Sequence, residues 1–381
     1  MVATSSLPDE GLATARIEYG EVFTRRWVVD LILDLCGYDP DADLTKMQLV
    51  EPAAGSGAFL GPILDRLIAA RAKHAPHEPW QVLRGCIRAW DLQPEHVETC
   101  RQLVLGRLAQ AECPSAEAES LADAWLRVGD FVLAEHSAGA DLVVGNPPYI
   151  RIEDLPPELL AAYRSACPTM GGRADIFVGF YEHGLDLLAP DGRLGFICAD
   201  RWMRNAYGRH LRRKILDGPY SVDVALTMHD TPAFDSEVSA YPAITVISRR
   251  SQGAAVTGLA SEAFGPQDAR LFAAWAASEQ NESLDRSSVK AARLPGWHAD
   301  DASWPEGSPQ TLAWLEDLAE RFPVLEDLST GTKIGIGVAT GADSVYVIRQ
   351  DDLPDVEPDR LLPLTMSADV KSGELCPAGS Q

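Results

Sequence analysis

Apolar residues recur at helical spacing through RRWVVDLILDLC, residues 25–36, which predicts an amphipathic helix near the start of the chain. The pattern then changes character. MQLVEPAAGSGAFLGPILDRLIAARAK reads as strand, glycine-rich loop and helix, and GCIRAWDLQPEHVETCRQLVLGRLAQ reads as strand, acidic tip and helix. An Ala/Glu-rich helix is expected near 115–124, followed by short strands in WLRVGDF and DLVVGN. ADIFVGFYEHGLDLLAPDGRLGFICAD reads as a long helix, a Pro-Asp-Gly turn and a strand. VDVALTM and AYPAITVISR close the series as a late antiparallel pair. Strands alternating with helices of ten or more residues predict a doubly wound, mostly parallel α/β sheet.

From about Ser251 the periodicity weakens. Residues 251–325, polar and turn-rich until the helical TLAWLEDLAERF, are expected to form a linker and bridging helix. TKIGIGVATGADSVYVI predicts a hairpin opening a second, β-rich domain over 326–381. The first domain is accordingly bounded at 1–250.

A chain of 381 residues with 46% hydrophobic content can build a sizeable core and a second domain. No apolar run approaches the ~20 residues of a membrane span, and the first twenty residues lack the pattern of a signal peptide. Seven cysteines without a CxxC pair suggest reduced thiols and a cytoplasmic protein. Eight histidines without HExxH-like spacing give no support for a metal site. The net charge of −23 argues against indiscriminate nucleic-acid binding. RWMRNAYGRHLRRKILDG departs locally from that balance, with Arg201, Arg204, Arg209, Arg212, Arg213 and Lys214 before the next acid. The run is either a solvated helix face or a place where DNA phosphates are held.

Two loops carry the candidate chemistry. Glu51-Pro52-Ala53-Ala54-Gly55-Ser56-Gly57 sits between a strand and a helix, where glycines let a ligand approach the backbone. It lacks the Lys-Ser/Thr of a phosphate-binding loop and the GxGxxG spacing of a dinucleotide loop. Glu51 would repel a phosphate and suit an ammonium. Asp91, before Leu92 at the tip of the next strand, can take a ribose diol. A ribose and an ammonium without phosphates describe S-adenosylmethionine. The second loop is Asn146-Pro147-Pro148-Tyr149. Consecutive prolines end the strand abruptly, because each lacks an N–H and has φ fixed. The Asn146 side-chain carbonyl and the Pro147 carbonyl can accept from an –NH2 group, and Tyr149 offers a face to a planar ring. Such a site fits an aromatic amine attacking a methyl sulfonium through alignment and fixed dipoles.

Together these motifs resemble the γ-class N6-adenine DNA methyltransferases of restriction–modification and phage-defence systems, over roughly residues 16–250. The resemblance implies a seven-stranded class I S-adenosylmethionine-dependent fold acting on an adenine flipped out of double-stranded DNA. It places Thr24 beside the cofactor, although Arg25 stands where that family usually has proline. It implies Glu51 at the methionine ammonium and Asp91 at the ribose. Asp130 and Phe131 in VGDF would bind and pack against the cofactor adenine, and Phe234 in TPAFDSEVSAYPAITVI would face Tyr149 across the target base. LSTGTKIGIGVATGADSVYVI resembles the start of a target-recognition domain, most of which is missing here. The chain is thus expected to be a fragment or to borrow specificity from a separate specificity or restriction subunit. Related NPPY loops methylate protein glutamine or rRNA guanine, and a non-catalytic DNA-binding subunit is a further alternative. A C5-cytosine enzyme is disfavoured, since Cys113 and Cys167 precede proline rather than follow it.

Overall fold

The structure, a computed structural model, describes residues 23–323 apart from 151, 236–240, 279–280 and 306, together with a few positions beyond. The first helix, α1 (Arg26–Leu35), buries Val28, Val29, Leu31, Ile32 and Leu33, the face set by its spacing. β1 (Leu49–Glu51) leads through the glycine loop to α2 (Leu60–His74). β2 (Ile87–Asp91) leads to α3 (Pro94–Gln110). Pro94 and Glu95 open that helix, where a missing N–H costs nothing and an acid suits the unpaired amides. α4 (Ser115–Trp125) runs directly into β3 (Leu126–Val128). β4 (Ala140–Gly145) stops one residue before Asn146, as the two prolines require.

α5 (Pro157–Ala166) and α6 (Phe177–Leu187) precede β5 (Leu188–Ala199), with α7 (Arg201–Arg204) and α8 (Arg209–Asp217) after it. β6 (Ser221–Thr227) and β7 (Pro242–Ser248) follow. The chain continues through β8 (Ala255–Ala260), α9 (Pro266–Ala277), β9 (Ser283–Asp285), β10 (Val289–Leu294) and α10 (Pro309–Arg321).

These ten strands, β1 to β10, join one sheet in the order β3-β2-β1-β4-β5-β7-β6-β8-β10-β9. β3, β2, β1, β4 and β5 run parallel to one another, and β7 runs antiparallel between β5 and β6. The expected seven-strand block therefore spans β3 to β6. Side chains alternate between its faces: Leu49, Leu142 and Val144 join the core under α1 to α4, and Val50 and Val143 join the core under α6. From β1 the chain winds out to β2 and β3, then returns to the other side as β4 and β5. That reversal leaves a crevice at the carboxyl ends of β1 and β4, where open α/β sheets bind ligands.

The linker expected from 251 is not one. β8 pairs in parallel with β6, and β10 and β9 extend the sheet antiparallel beyond it. These strands are short and rich in small residues, so they lack the β-branched alternation that marks a strand in sequence. Tertiary packing forms them: Gly258 of β8 lies against Leu226, Ala291 and Phe272. The next segment also packs onto the domain, with fully buried Trp304 5.8 Å from Trp202 and 6.1 Å from Trp297. The chain divides into two compact units at Leu315/Glu316 rather than near 250. In the second unit β11 (Val370–Lys371) and β12 (Glu374–Leu375) form an antiparallel ladder. The hairpin expected in TKIGIGVATGADSVYVI lies outside the described residues.

Candidate active site

The register places the ends of four strands on one edge of the sheet. Glu51 of β1 pairs with Ala89, Asp91 of β2 with Val128, and Gly145 of β4 with Phe196. A cavity of about 260 Å³ opens there. Pro52, Ala53 and Gly55 line it from the glycine loop, Asp91 and Leu92 from the tip of β2, and Asp130 and Phe131 from beyond β3. Thr24 and the whole of Asn146-Pro147-Pro148-Tyr149 complete it. Residues far apart in sequence thus meet because parallel strands end together. Glu51, Gly57 and Phe234 are not among the lining residues.

The glycine loop is held by backbone conformation and by Asp91. Gly55 and Gly57 have φ of +51° and +93°, the left-handed region that favours glycine. A Cβ on Gly57 would lie 2.7 Å from Leu103 Cδ2, so the loop passes tight against α3. Gly55 N–H donates to Asp91 Oδ2 at 2.8 Å, while Asp91 Oδ1 accepts from Gln93 N–H at 2.9 Å. His96 Nδ1, from the first turn of α3, is 3.1 Å from the same Oδ1.

Glu51 is fully buried, and neither carboxylate oxygen has a hydrogen-bond partner. Burial first, and the charge of Asp91 second, push its carboxyl well above the ordinary range. A buried acid without a cation is costly, so this pair of strand-end acids is suited to a positively charged ligand. No lysine or arginine lines the cavity among the described residues. The residues present, two strand-end acids beside a glycine loop, are compatible with a positively charged nucleoside such as S-adenosylmethionine.

An aromatic slot forms the next wall. Phe131 stacks on Phe180 with centroids 5.5 Å apart and meets Trp90 edge-on at 5.8 Å. Asp130 Oδ1 accepts from Val132 N–H at 2.9 Å, and its Oδ2 accepts from Tyr163 O–H at 2.5 Å. Phe23, His96, Tyr163 and Phe180 line the cavity too, and sequence reasoning missed all four. His96 alone carried a signal, lying five residues after Asp91 on the opening turn of a helix.

Asn146 Nδ2 donates to Thr24 Oγ1 at 3.3 Å, which fixes the orientation of the amide. Thr24 is itself held by an antiparallel bridge to Phe234. Arg25 N–H donates to Ala233 O at 3.0 Å and Asp235 N–H to Phe23 O at 3.0 Å. The Phe234 ring, 7% exposed, belongs to the core under α1 rather than to the cavity wall. Its contribution to the site is therefore through backbone, a correction to the face-to-face pairing expected with Tyr149. The Tyr149 hydroxyl is buried without a partner, and burial holds the phenol neutral.

The basic run is mostly committed within the protein. Arg212 is 2% exposed and donates to the carbonyls of Trp202, Asn205 and Asp301. It is a structural residue, which corrects its assignment to DNA. The reason is its position three residues before Ile215, on the apolar side of α8. Arg209 and Arg213 share Asp301, Arg204 pairs with buried Asp200, and Lys214 pairs with Asp186. The Arg201 guanidinium lies 4.7 Å over the Tyr241 ring.

The fold, with its strand-end cavity and switch-point loop, is that of a class I S-adenosylmethionine-dependent methyltransferase. Residues 86–224 match the model of the Eco57I restriction-modification methylase family. The chain is 42% identical to the Type II methyltransferase M.PaeR7I of Pseudomonas aeruginosa over 98% of its own length and 64% of that protein's. It is 39% identical to the Type II methyltransferase M.XhoI of Xanthomonas vasicola over 94% and 65% of the respective lengths. It thus spans just under two thirds of the length of these relatives. A modification subunit of a putative type I restriction enzyme from Vibrio vulnificus YJ016 has the same fold at 12% identity, with a TM-score of 0.52 over 79% of this chain and 63% of that one. No helix among the described residues is long and apolar enough to cross a membrane.

Proposed function

We propose that this chain carries the methyl-transfer machinery of a site-specific DNA adenine-N6 methyltransferase in a restriction–modification system. One observation supports it above the rest: the Asn146–Tyr149 loop leaves β4 directly into the cavity that Asp91, Asp130 and the glycine loop also line. When bound, S-adenosylmethionine supplies an electrophilic methyl group on a sulfonium. The protein's part is to hold the target amine. With its nitrogen donating to Thr24, the Asn146 amide presents its carbonyl as the acceptor end, and the Pro147 carbonyl is a second acceptor. Accepting the amine hydrogens concentrates lone-pair density on nitrogen, and rigid prolines keep those acceptors in place without adding a donor. Tyr149, a neutral phenol, gives the ring a stacking surface. No cysteine lines the cavity among the described residues, consistent with direct transfer rather than a covalent enzyme intermediate. In a duplex the adenine N6 is engaged in pairing, so the base must leave the stack to reach this site.

The relatives' names support DNA modification, and the long region they possess outside the matched share is where we assign sequence readout, supplied in cis or by a partner subunit. The test is transfer of labelled methyl from S-adenosylmethionine to duplex DNA, to a peptide-release factor and to ribosomal RNA, followed by digestion of the product. N6-methyladenine in DNA is expected. Label in protein glutamine or rRNA guanine instead would overturn the assignment.

A further inference from the structure

Asp91 has a feature that the family resemblance does not supply. Its two oxygens are unequally engaged. Oδ1 already accepts twice, from Gln93 N–H at 2.9 Å and from His96 Nδ1 at 3.1 Å. Oδ2 accepts once, from Gly55 N–H at 2.8 Å. An ionised carboxylate offers about two acceptor positions per oxygen. By this count Asp91 has about one acceptor position left, on Oδ2, rather than the two that would clasp both hydroxyls of a diol.

His96 decides which oxygen that is. A carboxylate only accepts, so the Nδ1 beside it must carry the hydrogen. The imidazole comes from α3 and the Gly55 N–H from the glycine loop, so the carboxylate is gripped from two elements. Both residues also line the cavity. Without His96, only two backbone amides would orient the group.

We propose that His96 is a positioning residue for the cofactor's sugar: its Nδ1–H occupies Asp91 Oδ1 and so commits Oδ2 to a single ribose hydroxyl. This rests on the methyltransferase function proposed above. The proposal does not place His96 on the transferred methyl, so its loss should act on nucleoside affinity rather than on the chemical step.

The test is calorimetry with S-adenosylhomocysteine, which cannot react, and with its 2′-deoxy and 3′-deoxy analogues. Wild-type protein should lose about tenfold or more in affinity for one deoxy analogue and distinctly less for the other, the scale of a single charged hydrogen bond. His96→Ala should bind the parent about tenfold more weakly yet lose little more on removal of that hydroxyl, because the two effects share one contact. His96→Asn places an amide N–H where Nδ1 stands and should recover most of the parent affinity. Melting curves of both variants report folding, and His96→Asn alone still tests the idea if the alanine variant fails to fold. Equal proportional losses in wild type and His96→Ala would overturn the proposal while leaving the methyltransferase function intact. Equal losses for the two deoxy analogues in wild type would do the same. If wild-type protein bound none of these nucleosides, the functional assignment and this inference would fall together.

Discussion

The proposed function gives Glu51 and Asn146 opposite roles, and substitutions should separate them. Glu51 is a buried acid with unpartnered oxygens, raised by burial and by Asp91. Its folded value lies above the unfolded one of about 4.3, so the folded state holds an extra proton between the two, and stability falls as pH rises through that interval. Glu51→Gln removes this loss. The variant should melt higher than wild type near pH 8 and similarly near pH 4, while binding S-adenosylmethionine more weakly by calorimetry. Equal melting temperatures at both pH values would refute the assignment of a strained acid. Asn146→Ala should leave nucleoside affinity nearly unchanged and slow methyl transfer by about 10²- to 10³-fold, the scale of losing one preorganised polar group. Single-turnover transfer of labelled methyl checks it, and a rate within a few-fold of wild type would sink the role given to the amide. The loops that carry both residues were legible in sequence, because a Gly-rich turn and an Asn-Pro-Pro-Tyr loop announce themselves by backbone constraint. Tyr163 and Phe180 were not, since helix residues reach the cavity only through packing.

At the level of elements, the sequence signalled those whose periodicity is strong and obscured those built from small residues. β4 ends where two prolines demand it, and α1 buries the stripe its spacing sets. β8 and β10 escaped notice because their burial depends on Phe272 and Leu226 arriving from elsewhere in the chain. The misread of Arg212 has the same origin: a run of charges shows no sign that one member turns inward. α8 tests this directly. Arg212→Ala strips a donor from three carbonyls and should destabilise the protein by about 2–4 kcal/mol, measured by urea denaturation. Arg213→Ala, exposed and sharing Asp301 with Arg209, should cost at most about 1 kcal/mol. If the two variants unfolded at the same urea concentration, the inward placement of Arg212 would be wrong.

For the whole molecule, charge should govern the encounter with DNA that the proposed function requires. The net charge is −23, and most cations of the one basic run already face carboxylates or carbonyls. Each phosphate neutralised contributes about −0.9 to the slope of log K against log salt. We expect a shallow slope and weak, sequence-indifferent duplex binding for residues 1–381 alone, read by titration between low and moderate salt. Phosphate contacts carry no base information, so efficient methylation of a single defined site by this chain would show that it already holds the specificity. Arg201→Glu should weaken the residual binding without altering nucleoside affinity. An unchanged DNA affinity in that variant would exclude the α7 end of the run from the interface.

The bridge between Thr24 and Phe234 gives the site a history as well as a shape. Arg25 and Phe234 are 209 positions apart, yet the side chain of one hydrogen-bonds the backbone of the other. On a ribosome adding about 5–20 residues per second, the amino-terminal partner waits about 10–40 s for its mate to be made. The support for the Asn146 amide therefore cannot exist on a half-made chain. We expect a nascent chain of this design to transfer no methyl group until Phe234, which follows β6, has left the exit tunnel.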